Sequence, residues 1–271
     1  MAVVPELPEV ETTVRGLEKV LLGRRIARVE PRRADLRRPF PPDLGQRLTG
    51  ATVTKLGRRG KFGLVFTDRG DALVFHLGMS GKWRVDPGEL LPHDHLLLET
   101  GEGRRLALND PRRFGSVDLV PADSLDLWGP IAKLGPEPTE IVSSQLRARL
   151  RGRTAPIKAL LLDQRVIAGL GNIYVCEALH RARIGPRRAG GRLSGASIER
   201  LVDSIRLVIQ EAIDAGGSTL RDYARPDGEL GYFSKRFAVY DREGKACACG
   251  GKVRRIVQGG RSTFHCPRCQ K

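Results

Sequence analysis

Pro5-Glu6-Leu7-Pro8-Glu9-Val10-Glu11 sets three carboxylates beside a proline at the start of a helix-like run. The run covers residues 8–22, with Val10, Val14, Leu17, Val20 and Leu21 roughly on one face. Acidic residues suit such a start because the helix dipole favours negative charge there, and an early proline gives up only an N–H that has no partner in the first turn. The same stretch could also do chemistry. A free α-amine has a reference pKa of about 8, against about 10.4 for lysine, so near neutral pH it can attack a carbonyl carbon as Schiff-base formation requires. Pro5 is the candidate nucleophile and Glu6 the candidate proton donor. An internal proline nitrogen is a tertiary amide with no free lone pair, and four residues precede Pro5. Such chemistry therefore calls for a start at Pro5, as would follow from initiation at Val4 and loss of the initiating residue.

The most specific local signal is in the cysteines. Cys176 lies in a helical stretch and reads as a buried apolar residue. Cys247, Cys249, Cys266 and Cys269 form C-x-C, then 16 residues, then C-x2-C. Two close pairs of thiols in a reducing compartment read as one structural zinc site. Further candidates are basic or aromatic residues in turns. Lys61 ends the turn Gly57-Arg58-Arg59-Gly60-Lys61, which can be a solvated basic turn or a lysine aimed at phosphate. Met79 stands between Gly78 and Ser80, and Arg112 and Phe114 lie in Asn109-Asp110-Pro111-Arg112-Arg113-Phe114-Gly115. Apolar residues on exposed turns of a basic protein can act as wedges between bases. His93-Asp94-His95 has no further ligand at metal spacing. Gly169-Leu170-Gly171-Asn172 follows no strand, so it does not read as a dinucleotide fingerprint, but a helix N-terminus here could meet a phosphate.

These residues need scaffolds. Alternating short runs at residues 25–29, 51–56, 62–67, 72–77, 95–99 and 106–108 predict strands of a β-sandwich behind a leading helix. Residues 124–142 read as a linker. Residues 143–151, 155–162, 172–183 and 197–215 carry helical periodicity, and Thr154 is the candidate cap before Ala155-Pro156. A glycine-rich loop, residues 216–231, precedes a small metal-stapled hairpin. The class is α+β, with domains at 1–135, 136–236 and 237–271.

The chain has 47 Lys and Arg against 31 Asp and Glu, a net charge of +16, which favours a polyanionic partner. Residues 235–271 hold ten basic and two acidic residues, so +8 sits in 37 residues. A four-thiolate zinc site would leave that segment about +6, still suited to phosphate. No apolar run reaches membrane-spanning length and no basic leader precedes a hydrophobic core, so a cytoplasmic location is expected.

Pro-Glu-Leu-Pro-Glu-Val-Glu resembles the amino terminus of the bacterial formamidopyrimidine-DNA glycosylases, and five further motifs follow in that family's order. The resemblance spans residues 5–270 and implies an N-terminal β-sandwich domain, a helix–two-turn–helix domain and a zinc-finger hairpin. It implies a base-excision repair enzyme, monomeric and nucleoid-associated, that removes oxidised purines from double-stranded DNA and cleaves abasic sites. On that resemblance Pro5, Glu6 and Glu9 are catalytic, and Lys61 and Arg261 contact phosphates and assist elimination. Met79, Arg112 and Phe114 fill the gap left by the extruded nucleotide. His93, Lys158 and Asn172 bind phosphate, and the loop carrying Thr219 and Tyr232 folds over the flipped purine. That loop and Leu7 favour this family over its endonuclease VIII relatives. The family has C-x2-C in both zinc halves, so the pair Cys247/Cys249 is one residue short. Two other readings of the sequence are a catalytically silent damaged-DNA-binding homologue with a blocked amino terminus and a general zinc-ribbon nucleic-acid-binding protein.

Overall fold

The computed structural model describes residues 4–218, Pro226 and 231–271. The chain divides into two compact units. The first comprises residues 1–132 and 215–232, the second residues 133–214 and 233–271.

In the first unit the leading helix, α1 (Leu7–Leu21), begins where the sequence places it. The backbone N–H of Glu6 donates to Glu9 Oε2 at 2.9 Å, which closes the first turn. Leu7, Val10, Val14, Leu17, Val20 and Leu21 form the buried stripe. The helix stops as Leu22 turns extended and Gly23 takes φ +72°, a left-handed conformation suited to glycine. Then come β1 (Ile26–Pro31), the short α2 (Leu44–Leu48), β2 (Val53–Arg59), β3 (Phe62–Thr67), β4 (Asp71–His76), β5 (Lys82–Val85), β6 (Asp94–Thr100), β7 (Arg105–Asn109) and β8 (Ser116–Pro121). They build two four-stranded antiparallel sheets, in the orders β1-β6-β7-β5 and β2-β3-β4-β8. Both sheets contribute to one core with α1, and Phe75 of β4 meets Trp83 of β5 edge to face at 5.7 Å across it.

The sequence pattern does not reveal β5, β8 or α2. Both strands lie at the edge of a sheet, where one neighbour supplies all the pairing. β5, Lys82-Trp83-Arg84-Val85, is four residues long and carries two charges. Core burial of one tryptophan, not periodicity, fixes its place. Residues 124–142 are not bare linker either, because α3 (Gly129–Ala132) forms within them.

The second unit holds α4 (Ser143–Leu150), α5 (Ile157–Leu162), α6 (Asn172–Arg181) and α7 (Gly195–Asp214), within a few residues of the periodic runs. It also holds one hairpin, β9 (Arg254–Gln258) and β10 (Arg261–His265), with Arg261 paired to Gln258. The two-residue turn between them is Gly259-Gly260, with φ +55° and +72°. Positive φ at both central residues matches the twist of the strands, and glycine accepts it without strain. In this unit Glu177 of α6 is 4% exposed, and its carboxylate accepts the N–H groups of Ala238, Val239 and Tyr240 at 2.9, 3.0 and 2.7 Å.

Phe75 is fully buried, and a Cβ on Gly63 of the neighbouring strand would stand 2.1 Å from its ring. The ring therefore occupies the space that a side chain at 63 would need. Replacing Phe75 with alanine is expected to lower unfolding free energy by about 3–5 kcal/mol, read from urea midpoints at unchanged slope. A loss below about 1 kcal/mol would mean that the two sheets do not depend on this contact.

Candidate functional site

The first unit gathers most of the predicted residues. Pro5 is buried, Glu6 is 2% exposed and Glu9 is fully buried. Glu9 is the junction of this corner. One oxygen, Oε2, takes the Glu6 N–H, and the other, Oε1, takes the N–H of Ser218 at 2.7 Å. Glu9 thus ties the start of α1 to the segment after α7. Gly217 carries φ +82°, and a Cβ there would come 3.1 Å from Glu9 Oε1, so glycine at 217 allows this approach. Ser218 bridges to Tyr232, whose side chain is half exposed at 51%. Thr219 lies outside the described residues.

Lys61 sits in the two-residue turn between β2 and β3, next to Gly60 at φ +57°. Arg58 pins that turn to α1. Its Nε donates to Glu11 Oε2 at 3.0 Å and its Nη1 to the Gly60 carbonyl at 3.0 Å. The sequence singled out Lys61 and not His76, yet the charge of Lys61 bears on the His76 ring. Burial, helped by the charges of Lys61, Arg37 and Arg38, pushes the His76 imidazole down to about 4. The ring is therefore neutral at pH 7, and its Nδ1 accepts the N–H of Gly78 at 3.0 Å. Phe62 packs on it with ring centroids 5.1 Å apart. The only sequence sign of His76 is its place at a strand end just before Gly78-Met79-Ser80.

The wedge residues form one ledge. A Cβ on Gly78, at φ +63°, would lie 2.3 Å from the carbonyl carbon of Phe114, so the two turns touch backbone to backbone. Asp110, fully buried, locks them: Oδ1 accepts from Ser80 Oγ at 2.5 Å and Oδ2 from the Gly115 N–H at 2.8 Å. Ser80 Oγ in turn accepts the Arg112 N–H at 3.1 Å. His95 Nε2 reaches the Asp110 carbonyl at 3.0 Å, and burial lowers the pKa of that histidine, so it donates as the neutral ring. Met79 is half-buried on this ledge, while Arg112 and Phe114 are exposed. The Arg112 guanidinium stands 5.0 Å above the Phe114 ring, a cation–π pair worth about 0.5–1 kcal/mol at an exposed site. His93 is exposed beside His95, with ring centroids 6.0 Å apart. Asp94 is committed to Arg84, the Leu91 N–H and Asn109, which leaves no metal pair here among the described residues.

In the second unit two expected phosphate ligands are turned inward. Lys158 is 1% exposed, and its Nζ donates to the Ser262 carbonyl at 3.1 Å and to Thr263 Oγ1 at 2.6 Å. Asn172, first residue of α6, donates through Nδ2 to the same Ser262 carbonyl at 2.9 Å. Both hold the β9–β10 hairpin, whose first residue after the turn, Arg261, is exposed. Sequence spacing marks both residues as polar at helix starts and cannot show that their partner is a carbonyl some 90 or more residues away.

The four cysteines converge, with all four sulfurs within 4.8 Å of one another. Cys249 and Cys266 are 3.5 Å apart, and Cys247 and Cys269 are 3.9 Å apart. Tetrahedral zinc with bonds near 2.3 Å needs sulfurs about 3.8 Å apart, so the set fits the ion. The shortened first pair closes through Gly250 and Gly251. The Gly250 N–H donates to the Cys247 carbonyl and the Cys247 N–H to the Gly251 carbonyl, both at 2.8 Å. A Cβ on Gly251 would stand 2.9 Å from Cys266 Sγ, so glycine there lets the sulfur in. The Gly251 N–H holds the Cys249 thiol down to about 7, while burial and neighbouring sulfurs push Cys269 up to about 12. A divalent ion offers all four sulfurs one shared partner.

Comparison with known proteins agrees with this arrangement. Residues 4–117 match the formamidopyrimidine-DNA glycosylase N-terminal domain, residues 134–224 the formamidopyrimidine-DNA glycosylase H2TH domain, and residues 248–271 a zinc finger found in FPG and IleRS. A formamidopyrimidine-DNA glycosylase of Rhizorhabdus wittichii is 66% identical over 269 residues, covering 98% of this chain and 100% of its own. That of Novosphingobium aromaticivorans is 65% identical with the same coverage. Among solved structures, Lactococcus lactis Fpg in complex with an abasic site containing DNA aligns with TM-score 0.89 at 36% identity, covering 98% of this chain and 99% of that one. The MutM (Fpg) protein of Thermus thermophilus aligns with TM-score 0.89 at 42% identity, covering 98% of each chain. The zinc-finger match and the sulfur geometry together support one structural zinc ion.

Replacing Asp110 with alanine removes the acceptor for Ser80 and for Gly115 and leaves both donors buried. A loss of about 2–4 kcal/mol in unfolding free energy is expected, with looser binding of DNA containing an abasic-site analogue. Unchanged stability would remove Asp110 as the tie between the two turns.

Proposed function

Because the chain belongs to the formamidopyrimidine-DNA glycosylase family, we propose that it excises oxidised purines, such as 8-oxoguanine and formamidopyrimidines, from double-stranded DNA and then cleaves the abasic site. The observation that carries this reading is the corner at the start of α1, where Pro5, Glu6 and Glu9 are all buried and the Glu9 carboxylate accepts two backbone N–H groups. With these two N–H groups on its carboxylate, Glu9 is assigned the positioning role, and Glu6 the proton transfer.

The proposed course is as follows. The glycosidic carbon is inaccessible inside a duplex, so the nucleotide is flipped out at a cost of a few kcal/mol. Met79, Arg112 and Phe114 enter the gap and offset part of that cost. The Pro5 nitrogen attacks C1′, the glycosidic bond breaks, and its electron pair leaves with the base, which takes up a proton. Glu6 serves as the acid and base. The sugar ring opens to the Schiff base, whose cationic nitrogen draws electrons as a C2′ proton is removed and the 3′ phosphate departs. A second elimination expels the 5′ phosphate. Lys61 binds phosphate at the lesion and assists the first step, and Arg261 assists the second. His93, Lys158 and Asn172 are the further phosphate contacts of this reading, and Lys158 and Asn172 also hold the hairpin through Ser262 and Thr263. Tyr232, and Thr219 beyond the described residues, belong to the segment that covers the flipped purine. Cys247, Cys249, Cys266 and Cys269 hold the zinc ion, which supplies structure and takes no part in the chemistry. Monomeric action at the bacterial nucleoid is part of the same proposal, and the net charge of +16 suits a polyanionic partner. No helix among the described residues is long and apolar enough to cross a membrane.

Chemistry at Pro5 needs a secondary amine. A form beginning at Pro5 is expected to be trapped by borohydride on duplex containing an abasic site and to cut it. A form confirmed by amino-terminal sequencing to retain Met1 to Val4 is expected to bind without trapping. Equal trapping by the two forms would reject the proline and make Lys61 the leading nucleophile; binding with no trapping by either would favour the silent homologue.

Replacing the exposed Phe114 with alanine should slow excision of 8-oxoguanine by about tenfold or more, equivalent to roughly 1.4 kcal/mol or more, with little change in binding to undamaged duplex. Equal losses on both DNAs would count against the wedge.

A further inference from the structure

Among the described residues, the cysteine cluster meets a polar side chain from outside the finger. His180, in the last turn of α6, places Nε2 at 3.3 Å from Cys247 Sγ. A thiolate bound to zinc can only accept, so the ring nitrogen at this distance must carry the hydrogen. His180 lies three residues after Glu177, on the same face of α6, and Glu177 accepts the three N–H groups that begin the finger segment. At the other end of α6, Asn172 holds the Ser262 carbonyl of the hairpin. One helix therefore grips the finger at its entry, at its metal and at its tip.

We propose that His180 is a positioning residue for the zinc ion, donating its Nε2–H to the Cys247 thiolate and so retaining the metal in a finger whose first cysteine pair is one residue short. Four thiolates around one zinc carry a net charge of about −2, which each N–H donor disperses. Cys249 has a backbone donor in Gly251. Cys247 lies in the tight Cys247-to-Gly251 turn, takes the Cys249 N–H, and meets in addition a side-chain donor from α6. The proposal rests on the four-cysteine zinc reading.

The test uses the full chain. Zinc content of the unaltered protein is measured first, then zinc release to a chromophoric chelator for the unaltered protein, His180→Phe and His180→Gln. The phenylalanine keeps the ring volume and removes the donor; the glutamine amide returns a donor near the Nε2 position. Release from H180F should be about tenfold faster or more, with H180Q close to the unaltered protein. In the cobalt-loaded forms, loss of the donor should move the sulfur-to-metal charge-transfer band to longer wavelength, and H180Q should move it back, a change that packing alone does not produce. Should H180F fail to fold, the unaltered protein loaded with cadmium-113 and labelled with 15N-histidine should show a cadmium–proton coupling at Nε2–H; its absence would overturn the proposal. Equal release and equal spectra for H180F and the unaltered protein would overturn it while leaving the zinc site standing. A zinc-free unaltered protein would remove the four-cysteine reading, and this proposal with it.

Discussion

A carboxylate taken out of water costs several kcal/mol unless its oxygens are fully hydrogen-bonded, and this protein places that demand at its junctions. Glu9, Asp110 and Glu177 are each at most 4% exposed, and each joins segments that sequence separation keeps apart. Glu9 binds the helix start to Ser218, Asp110 binds one turn to the next, and Glu177 binds α6 to the finger. In every case main-chain N–H groups make up part or all of the donor set. Main-chain donors are fixed in position by the chain itself, so each carboxylate fixes loops that would otherwise move. The loops in question carry the residues assigned to base excision and phosphate contact.

Close backbone approach is the second constraint. The Gly78 turn reaches the Phe114 carbonyl carbon, Gly217 reaches Glu9, and Gly251 reaches the Cys266 sulfur. A side chain at any of the three would open a gap between groups that must touch. The C-x-C pair, one residue short, still gathers four sulfurs, with Gly250 left-handed and Gly251 open to the Cys266 sulfur. Charge is then left for the exterior. Arg112 on its turn and Arg261 at the start of β10 are exposed, whereas Lys158, despite its charge, directs its ammonium to Ser262 and Thr263 of the hairpin.

Much of this was legible in the sequence. The stripe of α1, the helices α4 to α7, the central strands and the spacing of four cysteines follow from local rules of periodicity, capping and ligand spacing that operate over a few residues. Pro5 beside its acids, the paired thiols and the turns with Met79, Arg112 and Phe114 stand out as candidates without a fold, whereas His93, Lys158, Asn172, Thr219, Tyr232 and Arg261 enter through the family resemblance. Tertiary structure decided the partners. Edge strands β5 and β8 form because a neighbouring strand and a buried tryptophan supply what their own pattern lacks. Glu9 became a staple and Lys158 a buried strut because their hydrogen-bond partners stand a hundred or more positions away, and His76 became a neutral acceptor because burial and charges from Arg37, Arg38 and Lys61 lower its pKa. Residue type sets which interactions a side chain can make; only the folded chain sets which of them is within 3 Å.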